Sequence, residues 1–439
     1  MNGMDDNEYK KLTGELEAIS IPKEALSQAR LQGIKKVHDK KKFRTRSLKQ
    51  LVVIAAILCV FVTSIRVSPV FAATVAKIPV LSSLVEMIAY DKGVEDIFKN
   101  YYYEELNIVD TKNNLTFTLL GVIADESGMV LSYRLEAPYD ISNLNTKDIN
   151  VVQNDLPIQM AIGYGWYGKE NTNIVEDKIE ITASEGINYD HPNFRLDFTL
   201  EDEHETTFSI PFILKKDIAK SKLYEINKEV EIDDQTIIIQ SLKISPLRAE
   251  VKLALDQANA MQILQFGELK LLDEKGEEWG KIANGSTGFG DLRKGKGSYF
   301  IQSNYFRGPR SLTLHIGKVE ALPKGQDYVE IDFENKEVVS VPDLTPLDIE
   351  IKDSSTVSFT YPESKENHIN ELFSSVVDAN NQEFYSRQVS QISAEGGYNN
   401  SSYTFNMKDK VNPIRLYFWS YPNYLNGSAE IKIPLNERD

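Results

Sequence analysis

Residues able to do chemistry are sparse in this chain of 439 residues: five histidines, His38, His191, His204, His315 and His368, and one cysteine, Cys59. The histidines lie far apart with no ligand spacing, and a single cysteine excludes a disulfide within the chain and a cysteine-based zinc site. Carboxylates gather in Glu201-Asp202-Glu203-His204-Glu205, a set suited to a hard divalent cation. Between two strand-like runs, however, it reads more simply as a solvated hairpin loop. His315 alternates with Leu314 and Ile316 as an exposed strand position would. The glycine-rich stretch from Asn284 to Asp291, followed by Lys294-Gly295-Lys296-Gly297, lacks the Gly-Lys-Ser/Thr ending and following helix of a phosphate loop. It is expected to be a long flexible hairpin. No nucleophile, base and orienting residue can be named together. The expectation is therefore a protein that is not an enzyme, with no catalytic residue, cofactor or metal.

Recognition chemistry is better represented. Tyr164-Gly165-Trp166-Tyr167-Gly168 and Phe418-Trp419-Ser420-Tyr421-Pro422-Asn423-Tyr424 place amphipathic rings in loop-like stretches, where exposed rings serve binding. Trp166, Tyr167, Trp419 and Tyr421 are the candidate recognition residues for a sugar or peptide; the alternative is that these rings cover the ends of a sandwich core. Near the N-terminus, Leu26, Ile34 and Val37 form a thin apolar stripe able to enter a groove on a cytoplasmic partner. The plainer alternative is a solvated juxtamembrane linker.

These residues must be positioned by the segments around Leu51–Ile65, the only long uninterrupted apolar run. Fifteen residues cover roughly 22 Å of helix, short of a bilayer core, but Leu48 extends the run. Lys49 and Arg66 can snorkel at its ends. A transmembrane helix over 48–67 is expected. A buried core helix would show a polar face, and a signal peptide cleaved near Val70-Phe71-Ala72 would start close to the N-terminus. A lipoprotein anchor at Cys59 would need a small residue where Leu58 stands. Eight Lys and Arg against only Asp39 between Lys35 and Lys49 place the N-terminus in the cytoplasm.

Of the net charge of −16, residues 1–50 carry +5 and Arg66 +1, leaving −22 beyond the apolar run. So acidic a region is unsuited to nucleic acid. The absence of disulfides outside fits a Gram-positive envelope.

In order, the expected architecture is a basic helical tail (1–47), the membrane helix and a helical stalk (68–104). Beyond Leu106 the apolar period changes from 3.6 to 2. Strand-turn-strand runs such as Leu115–Leu120 and Met129–Leu135, flanking Asp125-Glu126-Ser127-Gly128, predict a mainly β region of two or three immunoglobulin-like sandwiches. The expected limits are 105–220, 226–342 and 346–439. Tyr328–Phe333 would close the second unit and Ala429–Ile433 the third, with a core shared by the last two units as the alternative to separate ones.

Ile21-Pro22, Arg66-Val67-Ser68-Pro69, Phe71-Ala72, Ile78-Pro79, Leu84-Val85-Glu86 and Asp91-Lys92-Gly93 resemble, in order and spacing, the family called domain of unknown function 4179, over about residues 20–215. The region after about 225 resembles more loosely its companion, domain of unknown function 5643. The resemblance implies a single-pass membrane protein of Firmicutes, and some relatives are labelled anti-sigma factors. Residues 1–50 hold His38 and no cysteine, so the His and Cys cluster of zinc-type anti-sigma proteins is absent.

Two functions are expected on these grounds. One is a single-pass regulator whose external sandwiches sense an envelope ligand or protein, while its tail holds a sigma factor or another cytoplasmic protein. The other is an envelope-anchored binding or scaffold protein without a signalling role. The lipid bilayer is a partner in both.

Overall fold

Strand patterning dominates the computed structural model, which describes residues 91–435 apart from 155, 159, 166–170, 184–185, 283–287, 344–346, 363–371, 385 and 395–396. They lie within one compact unit, Thr74–Asp439. The expected tail and membrane span fall outside the described residues. Among those described, no helix is long and apolar enough to cross a membrane.

The first helix, α1 (Lys92–Lys99), is what the structure describes of the expected stalk. Asp91 caps it, accepting from the backbone N–H of Gly93 at 2.8 Å and Val94 at 3.2 Å, so two donors at the helix start are satisfied. Val94, Ile97 and Phe98 form its buried face.

The first sandwich comprises β1 (Glu104–Lys112), β2 (Leu115–Asp125), β3 (Gly128–Glu136), β4 (Thr146–Gln153), β5 (Leu156–Pro157), β6 (Ala161–Tyr164), β7 (Ile174–Thr182), β8 (Asn193–Leu200) and β9 (Thr207–Ile213). Two antiparallel sheets, β1-β2-β3-β7-β6 and β5-β4-β8-β9, face each other. Period-2 alternation sends Leu115, Phe117 and Leu119 inward. There Phe117 packs on Tyr133, Phe198 and Phe208 at 5.1–5.4 Å between ring centres. The expected turn at Asp125–Gly128 is present, Asp125 Oδ1 accepting from the N–H and the hydroxyl of Ser127.

The second unit contains β10 (Lys222–Ile232), β11 (Gln235–Ile244), β12 (Ala249–Leu255), β13 (Met261–Asp273), β14 (Glu278–Trp279), β15 (Gly288–Asp291), β16 (Lys296–Ile301) and β17 (Leu312–Pro323). Its sheet β10-β11-β12-β16-β15 repeats the first unit's order. Even the opening hairpin recurs: Asn113-Asn114 and Asp233-Asp234 both take positive φ, 51° and 61° against 51° and 60°, as a two-residue primed turn requires.

The third contains β18 (Tyr328–Asp332), β19 (Glu337–Ser340), β20 (Asp348–Ile351), β21 (Thr356–Pro362), β22 (Phe373–Val377), β23 (Glu383–Phe384), β24 (Ser386–Ala394), β25 (Tyr398–Phe405) and β26 (Ile414–Phe418). Its sheets are β19-β18-β26-β22-β23 and β20-β21-β25-β24. The last described strand, β27 (Ala429–Ile433), returns to the second unit, giving β14-β13-β17-β27.

Here the expected limits 226–342 and 346–439 need correction. In the first unit β8 pairs with the strand after it, β9. By the same pattern β17 would pair with β18, and β26 with β27. Instead β27 pairs with β17, and β18 pairs with β26. The second and third units have exchanged their closing strands. Val329 and Ile331 of β18 accordingly sit in the third core with Phe359, Tyr403 and Phe418, whereas Ile431 and Ile433 of β27 sit in the second. The two cores are separate.

Polar contacts lock the first unit and α1 to the second. Asp125 Oδ2 accepts from Leu247 N–H at 2.7 Å, and the buried Arg248 donates to Thr182 Oγ1 at 2.6 Å. Arg307 donates twice to Asp96 of α1, at 2.6 and 2.9 Å. A Cβ on Gly93 would meet the Ser303 carbonyl at 2.7 Å, so only glycine lets the helix lie this close to the second unit.

Candidate ligand-binding site

Between the second and third units lies a cleft of about 290 Å³, near the lower end of the roughly 300–1,000 Å³ usual for small-ligand sites. Three pieces of β-structure supply much of its wall, and β16, β22 and, through Glu383, β23 complete it. The first is the start of β13, where the register against β17 slips between Ile263 and Gln265. This irregularity lets successive residues face different cores: Ile263 packs in the second and Leu264 in the third. Both line the cleft, as does the half-buried Gln265.

The second piece is β15 with the 3-10 turn Leu292–Lys294. Asp291 caps that turn through Arg293 N–H at 2.9 Å and pairs with Lys294 at 3.3 Å. The turn closes at Gly295, whose φ of +78° is left-handed and suits glycine. The expected flexible hairpin is thus corrected for residues 288–297: they form an edge strand, a capped turn and the start of β16. Residues 283–287 lie outside the description. Arg293 extends from the turn to the third unit, where its guanidinium carbon stands 3.4 Å from the Tyr417 ring centre and Nη1 donates to Ser375 Oγ at 2.7 Å.

The third piece is the end of β26 and the segment after it. Phe418 is buried against Phe373, and Trp419 is 44% exposed and lines the cleft. Glu320 of β17 holds this segment, accepting from Ser420 Oγ at 2.7 Å and Tyr421 N–H at 3.0 Å. Leu425 N–H donates to Val319 O at 2.8 Å. Trp419 therefore projects from a stretch of chain fastened to both units.

The sequence-derived candidates divide accordingly. Trp419 is at the cleft. Tyr421 is corrected: it is 2% exposed and packs on Phe418 in the third core, as a ring covering a core end would. Trp166 and Tyr167 fall outside the described residues, as do Leu26, Ile34, Val37, His38 and His368. His315 is half-buried rather than exposed, its side chain between Glu268 and Glu430 at 4.0 and 3.5 Å. The acidic run Glu201–Glu205 joins β8 to β9, with Asp202 holding Thr206. No cluster able to hold a metal occurs among the described residues. Sequence reasoning missed Gln265, Asp291, Arg293 and Glu383 of the cleft. The one signal was the glycine-rich stretch itself, since glycine in a strand marks close backbone approach.

Two family models match the chain: a domain of unknown function (DUF4179) over residues 42–137, and a family of unknown function (DUF5643) over 221–353. The chain carries both domains. The DUF4179 match, narrower than the sequence resemblance, ends at the close of β3; the DUF5643 match opens with β10 and ends beyond β20. The cleft therefore combines DUF5643 residues from β13 and β15 with residues beyond the match, Glu383 and Trp419 among them. A conserved domain protein from Bacillus anthracis, known as a crystal structure, is similar at 14% identity, with 54% of this chain and 84% of that one covered and a TM-score of 0.36. No curated protein matches.

Proposed function

We propose that this protein is a single-pass membrane regulator whose extracytoplasmic, immunoglobulin-like sandwiches bind an envelope ligand in the cleft, and whose tail acts on a cytoplasmic partner of the sigma-factor kind. The observation that carries the binding half is the cleft itself: an exposed Trp419 on a fastened segment, facing polar side chains across two sandwiches. Support for the membrane half comes from the apolar run Leu51–Ile65 and its basic flank. Because α1 is joined to the sandwiches through Asp96 and Arg307, a change outside has a mechanical route toward the membrane.

The test uses the full chain in its own cells. It is expected in the membrane fraction, with the region beyond Arg66 digested by protease added to intact protoplasts; recovery in the soluble fraction would overturn the anchoring. Cross-linking and then capture is expected to retrieve a cytoplasmic protein, and L26D with I34D to lose it while membrane insertion persists. Unchanged capture would remove the regulatory half and leave an envelope-anchored binding protein.

A further inference from the structure

We infer that the ligand of this cleft is a neutral saccharide, a proposal that rests on reading the cleft as a binding site. The charges along its wall balance: Asp291 is paired with Lys294, and Arg293 on one side matches Glu383 on the other. With Asp291 paired, a charged ligand of either sign meets one like charge, Glu383 for an anion and, for a cation, the Arg293 guanidinium that already covers the Tyr417 ring.

A wholly apolar ligand would strand polar groups that have no other partner among the described residues. The Glu383 carboxylate and the Gln265 amide make no hydrogen bond or ion pair there, and covering such groups unpaired is costly. An added peptide strand fits poorly as well. The edge strand β15 is four residues long, and Gly290 takes φ +106°, outside the extended backbone that strand addition needs.

What remains is a molecule with hydroxyls around its edge and C–H bonds on its faces. Planar amide and carboxylate groups pair with hydroxyls in the plane of the ring. The exposed indole of Trp419 offers a flat face with negative charge density to the C–H bonds. A sugar satisfies both at once, and balanced charge leaves it no electrostatic penalty.

The experiment is calorimetric titration of the full chain in detergent with four probes: chitotetraose, tetralysine, pyrophosphate and penta-alanine. Chitotetraose is expected to bind and to quench tryptophan fluorescence. W419A should weaken it by at least about tenfold, W419F should retain most of the affinity, and Q265A should weaken it to a smaller extent. Circular dichroism confirms that each variant is folded. Binding of one of the other probes, lost in W419A while chitotetraose is silent, would overturn the saccharide and keep the cleft. Chitotetraose binding that is indifferent to both W419A and Q265A would overturn the placement, and silence of all four probes would overturn both readings.

Discussion

Asp91 shows how one side chain couples a helix start to a buried charge cluster. It is 4% exposed, and burial above all raises its carboxyl to about 6, against the opposing bonds from Val94 and Gly93. Glu180 adds to the rise and Lys178 opposes it, while Arg248 is also in its field. The folded state thus keeps a proton that the unfolded chain, with a value of 3.8, has lost between about pH 4 and 6. The contribution of Asp91 to stability is greatest below pH 4 and falls as pH rises through 6, by about 3 kcal/mol in all. Asn caps a helix as well as Asp and carries no charge to desolvate. Thermal unfolding of D91N should therefore lose this slope and, at pH 7, show a protein more stable than the parent by about 1–3 kcal/mol; an unchanged slope would assign the pH dependence elsewhere. At this scale the sequence was half legible. Trp419 stands out in it as a loop tryptophan, but strand parity would turn Tyr421 outward along with Trp419. Beyond Phe418 the strand has ended, and the Tyr421 backbone is held by Glu320 instead of the pleat.

Among the elements, β27 carries a load out of proportion to its five residues. It covers the free edge of β17 from Leu312 to Ile316 and contributes Ile431 and Ile433 to the second core, where they are 3% and 5% exposed. I431A is expected to cost about 3 kcal/mol. A chain ending at Gly427 loses both isoleucines and bares the β17 edge, so limited proteolysis should cleave the second unit while sparing the first. Resistance equal to the parent's would mean that the second core closes without β27. The strands themselves were readable from their alternation, as was the turn at Asp125–Gly128. Their partners were not. β18 reads Tyr-Val-Glu-Ile-Asp and β27 Ala-Glu-Ile-Lys-Ile, two short alternating runs with two inward residues each, so either fits the edge of either sheet. Choosing between them depends on packing that no local pattern records.

At the scale of the molecule, exchange makes the second and third units one mechanical object. The chain passes between them twice, after β17 and after β26, and each unit is closed by a strand lent from the other's stretch of sequence. Cutting the chain at a protease site inserted at the exposed Asp343 tests this directly. The halves should stay together on gel filtration, held by β17 with β27 and by β26 with β18, and should part only in denaturant. Halves that separate freely would show that each unit closes with its own strand. The mainly β class and the repeated strand grammar were visible in the sequence. The cleft was not, because its wall joins Gln265, Arg293, Glu383 and Trp419 across more than a hundred residues of chain.

The exchange also sets a timetable. As the chain is made from its N-terminus, β1 to β9 are complete and can fold while the remainder is still being synthesised. The second unit cannot: when β17 has emerged, the strand that finishes its sheet lies about a hundred residues away, and closing so long a loop is slow. Until β27 arrives, the β17 edge stands open, although the strands of the third unit and the stretch after β26 that fastens onto Glu320 have already been made. The third unit is thus finished before the second, and the cleft between them is settled only when β27 closes the second core. A chain halted or clipped before Ala429 would leave an open edge for proteases to find, so the cell would discard it before it could display a half-built site.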